Sequence, residues 1–62
     1  MYPYYAIEII GGRHYTIKRV SRCCVEPTNR IAYKSLEAAQ AAAAEMGVEI
    51  KAIGDIWQII GK

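Results

Sequence analysis

The chain of 62 residues predicts a small α+β domain, an antiparallel β-sheet in the order β-β-(β)-α-β-β with one alanine-rich helix packed on one face. Three observations lead there. Tyr4 to Ile10 and His14 to Val20 are aromatic and β-branched runs of alternating parity on either side of a glycine turn. Ser35 to Gly47 is built from alanine and carries helix signals at both ends. Val48 to Ile53 and Ile56 to Ile60 then resume the alternation around Gly54-Asp55, a two-residue hairpin signal. Residues 1–62 form one domain, and because a chain this short buries only about 60% of its unfolded surface, support from a second subunit or a partner is expected.

In the first hairpin, loop length decides which residues share a face. A two-residue loop would pair Ile9 with His14 and Ile7 with Thr16, setting polar groups beside the core. The three-residue loop Gly11-Gly12-Arg13 pairs Ile9 with Tyr15 and Ile7 with Ile17 instead, and is the better choice. One face is then Tyr5, Ile7, Ile9, Tyr15 and Ile17. From Ser21 to Asn29 the pattern weakens, and Glu26-Pro27-Thr28-Asn29 is turn chemistry. Arg30 to Tyr33 is a short third strand leading into the helix.

Ser35 can accept from free N–H groups of the first helical turn, Glu37 sits where the helix dipole favours an anion, and Gly47 suits a left-handed stop. Leu36, Ala39, Ala43 and Met46, with Ala42 beside them, make the apolar stripe. Pairing Ile53 with Ile56 puts Val48, Ile50, Ala52, Trp57 and Ile59 on one face to meet it. A single helix covers one face only. Ile10, Val20, Ile53, Ile56 and Ile60 are left on the other, where exposed together they would form a protein interface.

Composition narrows the functional classes. At 53% hydrophobic the chain is too apolar for disorder, yet no run approaches the roughly 18 apolar residues of a membrane span. The opening Met-Tyr-Pro-Tyr-Tyr lacks the basic-then-apolar order of a secretory leader, so a cytoplasmic protein with reduced thiols is expected. Charge is divided unevenly. Arg13, Lys18, Arg19, Arg22, Arg30 and Lys34 stand against Glu26 alone, whereas Lys51 and Lys62 face Glu8, Glu37, Glu45, Glu49 and Asp55. Such asymmetry hints at an anionic partner.

Catalytic and metal signatures are wanting. Cys23-Cys24 has neither CxxC spacing nor a second ligand pair, and in a strand the two would point to opposite faces. His14, the one histidine, has no nucleophile or orienting group assigned to it by any motif, and turn chemistry accounts for Asp55. Gly11-Gly12-Arg13 lacks the lysine, serine and strand-to-helix context of a phosphate loop. No catalytic residue, metal, cofactor or small-molecule substrate is implied.

The expected function is therefore a non-enzymatic module that docks on a protein partner or a second copy of itself and occludes it. Ile53, Ile56 and Ile60 would be its contacts and Arg13, Lys18, Arg22 and Arg30 its electrostatic guides. The alternative is RNA or single-stranded DNA binding through Arg13, Lys18, Arg19, Arg22 and Arg30, with Tyr15 and Tyr33 available for stacking. The order strand, glycine turn, strand, then Ser35-Leu36-Glu37-Ala38-Ala39 opening a helix, resembles the short β-β-β-α modules of HicB-type antitoxins over Tyr4 to Gly47. In size the chain is also similar to phage accessory proteins that inhibit host defence complexes by docking on them. These resemblances imply an antitoxin-like partner or an inhibitor and assign no functional residue.

Overall fold

The computed structural model describes residues 2–60 as a four-stranded mixed sheet with two short helices, a small α+β fold. The elements are β1 (Tyr4–Ile10), β2 (His14–Val20), β3 (Val25–Pro27), α1 (Leu36–Met46), β4 (Ile50–Gly54) and α2 (Ile56–Ile60). Across the sheet the strand order is β3-β2-β1-β4, with β1 antiparallel to β2 and parallel to β4.

The β1–β2 hairpin takes the three-residue loop, pairing Ile7 with Ile17 and Ile9 with Tyr15. Gly11 and Gly12 supply its two left-handed residues, at φ 62° and 66°. On this face Ile7 and Ile17 are buried under Ala39 and Ala43 of α1, whose methyl groups let the helix lie close to the sheet. Ser35 caps α1 by accepting from the Ala38 N–H at 3.1 Å, and Gly47 ends it in the left-handed conformation. Met46, at the end of the expected stripe, is exposed instead.

Five expectations are corrected. The sheet is mixed rather than wholly antiparallel, because β4 enters beside β1 and parallel to it after α1 has carried the chain back along the sheet. The third strand is Val25–Pro27, not Arg30 to Tyr33: Arg30 adopts φ 60°, which breaks an extended run, and Tyr33 makes only a single bridge to Tyr15. Ile56 to Ile60 is a helix, not a strand, so both faces of the sheet carry one. Finally, the register shift opposite Tyr5 and Ala6 inserts one extra residue in β4, so Ile50 faces α1 while Ala52 faces the other way. The expected face of Val48, Ile50, Ala52, Trp57 and Ile59 is thereby divided. Val20, expected to lie bare, is buried with Ala6 under Ile59 of α2.

Candidate functional site

Local chemistry at Gly54 to Gln58 builds α2. Asp55 Oδ1 accepts from the Gln58 N–H at 2.8 Å, and Gln58 Oε1 accepts from the Asp55 N–H at 3.1 Å. This reciprocal pair is a capping box, and it turns the chain out of β4 into a helix where a hairpin had been expected. Gly54 is buried just before it; a Cβ there would lie 2.3 Å from Gln58 Oε1. At the far end the Tyr4 hydroxyl donates to the Ile59 carbonyl at 3.1 Å, tying α2 to β1.

The result is a helix that is apolar on two sides. Ile59 faces inward, only 2% exposed among Ala6 and Val20, and Ile56 is half-buried. Trp57 and Ile60, three residues apart, face outward at 76% and 46% exposure. A helix hydrophobic all round is normally enclosed. Here one side is enclosed and the other holds the only tryptophan of the chain. Beside Ile59 and Tyr4, an open groove of about 770 Å³ continues around the starts of β1 and β4, walled by Tyr2, Pro3, Tyr5 and Val48 with Glu49 and Lys51 at its rim.

Of the residues anticipated from sequence, Ile56 and Ile60 both lie on α2, the first half-buried and the second exposed. Ile53 is exposed, but its pairing with Ile7 places it on the α1 face of edge strand β4. The basic residues are spread out. Arg13 lies in the β1–β2 turn and Arg22 in the β2–β3 turn, at opposite ends of a seven-residue strand, about 20 Å apart. Arg30 follows β3 and is exposed. Lys18 and Arg19 are engaged: Lys18 Nζ is 3.8 Å from Glu8 Oε1 across the hairpin, and Arg19 donates to Glu26 Oε2 at 2.7 Å. His14 opens β2 while Cys23 and Cys24 follow its other end, so these three are not gathered into one site. Among the described residues no group of three or more His, Cys, Asp and Glu side chains is placed to hold a metal ion.

Sequence reasoning missed Trp57, which it assigned to the core, and the Asp55/Gln58 pair. The signal for both was present: Asp-x-x-Gln immediately after a glycine is the spacing of a helix start. Among the described residues no helix is long and apolar enough to cross a membrane.

No protein-family model, characterised protein or solved structure matches the chain, and its function has to be read from this geometry.

Proposed function

We propose that the chain is a non-enzymatic protein-binding module that docks through the outer side of α2 and occludes its partner's surface, as an inhibitor or an antitoxin-like partner would. The observation that carries this reading is the outward pair Trp57 and Ile60 on a helix whose inner stripe is already packed. Tryptophan is the residue type most enriched among those that dominate binding energy, and its large rigid ring loses little conformational entropy when a partner covers it. Ile56, half-buried between the stripes, extends the anchor. The groove beside Ile59 offers a concave neighbour for a partner side chain. Arg13, Arg22 and Arg30, free of ion pairs among the described residues, act at long range by steering an acidic partner.

The test is affinity capture from nuclease-treated lysate with wild-type bait beside Trp57→Ala and Ile60→Glu baits, each verified as folded by circular dichroism. A protein retained by wild type and lost from both variants supports the proposal. Equal capture by all three baits, or no protein retained by wild type from the nuclease-treated lysate, sinks it.

A further inference from the structure

The edge of the sheet farthest from β4 gathers cations that nothing neutralises. Lys18 and Arg19 are taken up by Glu8 and Glu26. Arg13, Arg22, Arg30 and Lys34 are exposed and make no ion pair among the described residues. Arg13 and Arg22 bracket β2 about 20 Å apart. The segment after β3 stays beside β2, because the Thr28 N–H donates to the Ile17 carbonyl at 3.4 Å and Tyr33 exchanges backbone hydrogen bonds with Tyr15 at 2.8 and 2.9 Å. Between those two anchorages the chain loops out. Asn29 Oδ1 accepts from the Ile31 N–H at 3.2 Å, and Arg30, at φ 60°, is presented midway along β2. Lys34 follows Tyr33 and so stands toward the Arg13 end.

The four charges thus follow one terminal edge of the sheet, over the length of a strand. At long range they draw in any anion, but at contact their spacing suits an extended rod of charge better than a compact acidic patch. We infer that this edge is a track for the phosphate backbone of double-helical DNA. B-DNA carries one charge per about 1.7 Å of axis, so about 20 Å of it offers about twelve phosphates to four cations.

The surroundings favour a duplex over a single strand. Single-strand binders interleave cations with exposed aromatic rings on which bases stack. Here Tyr15 and Tyr33 are half-buried against the core under α1, and the exposed apolar residue beside Arg30 is Ile31. A-form RNA is recognised largely through its 2′-hydroxyls, which donate as well as accept, whereas arginine and lysine supply donors only. Contacts confined to phosphates fix position and carry no sequence information. Glu37, three residues after Lys34 in the first turn of α1, makes Lys34 the weakest of the four.

The test is fluorescence anisotropy of the full chain with a labelled 20-base-pair DNA duplex across a salt series. Three to four phosphate contacts predict a slope of log K against log salt of about −2.7 to −3.6, so affinity should fall about 40- to 150-fold between 50 and 200 mM salt. Arg22→Gln and Arg30→Gln, both at exposed positions, should each keep the wild-type circular dichroism and reduce the slope by about 1. Lys51→Gln removes the same charge from β4 at the opposite edge and should leave the slope unchanged. The duplex should also bind more tightly than its separated strand, an RNA duplex or polyglutamate. Absence of binding at 50 mM salt, equal slopes in wild type and both arginine variants, a slope reduced as much by Lys51→Gln, or any of those three competitors binding as tightly as the duplex would overturn the inference.

Discussion

Replacing Trp57 by alanine separates the fold described here from the one that alternation alone suggests. Only about a quarter of Trp57 is covered. With roughly 150–250 Å² at stake for a tryptophan, that is about 40–60 Å², or about 1–1.5 kcal/mol at ~25 cal/mol per Å². Alanine returns about 0.5 kcal/mol through its better helix propensity. The net loss should be about 0.5–1 kcal/mol, measured by urea denaturation followed by far-ultraviolet circular dichroism, since the variant has no tryptophan to report fluorescence. A core tryptophan would cost about 3–5 kcal/mol instead. The same substitution removes the exposed three quarters from any interface. After about 1 kcal/mol is allowed for ordering the side chain, a loss of about 2–3 kcal/mol in binding remains, roughly 30- to 150-fold in Kd. A stability loss of 3 kcal/mol or more would refute the exposed placement, and with it the docking face.

Other substitutions probe the supports of the same region. Ile59→Ala opens a cavity between α2 and the buried Ala6 and Val20, and should cost about 2–5 kcal/mol in denaturant titration; a loss under about 1 kcal/mol would mean that α2 does not pack there. Gly54→Ala puts a side chain on a backbone at φ 159° and pushes Gln58 Oε1 off the Asp55 N–H, so it should cost at least about 1–3 kcal/mol in wild type and about 1 kcal/mol less in a Gln58→Ala background, where the clash with Oε1 is relieved but the backbone angle remains; full additivity in that double-mutant cycle would count against the capping box. Thr16 Oγ1 is buried without a hydrogen-bond partner among the described residues, so the near-isosteric Thr16→Val should stabilise by about 1 kcal/mol in thermal or urea unfolding; a comparable loss would show that the hydroxyl is satisfied.

How much of this was legible depends on whether the deciding signal was local. The β1–β2 register followed from parity, because a one-residue slip would have put His14 opposite Ile9 and Thr16 opposite Ile7. The last segment was misread because Ile56 to Ile60 is nearly all apolar, a composition that fits a strand or a buried helix equally. The tie is broken by Asp55 and Gln58, whose three-residue spacing caps a helix and does nothing for a two-residue hairpin. The division of β4 between two faces had no local signal. It comes from a register shift against β1, a strand more than forty residues away in the chain. The candidate site inherited these differences: Ile56 and Ile60 both lie on α2, Ile53 lies on the opposite face of the sheet, and Trp57, expected on the core face, is exposed.

The way α2 is held explains why its outer surface is a better candidate for function than a larger apolar residue elsewhere would be. A helix of five residues is far below the length at which helices persist alone in water. It exists here through the Asp55/Gln58 cap, the Ile59 anchor and the Tyr4 hydroxyl. None of these supports uses Trp57 or Ile60, so the outer pair is not required to hold the helix that presents it. A core this small rarely supplies more than about 3–5 kcal/mol, and Trp57, left outside it, keeps most of its apolar area available to a partner. Two different failures should follow. Ile59→Ala should lose both fold and partner, while Trp57→Ala should lose the partner and keep the fold; loss of both together in Trp57→Ala would assign the tryptophan to packing and remove the case for docking.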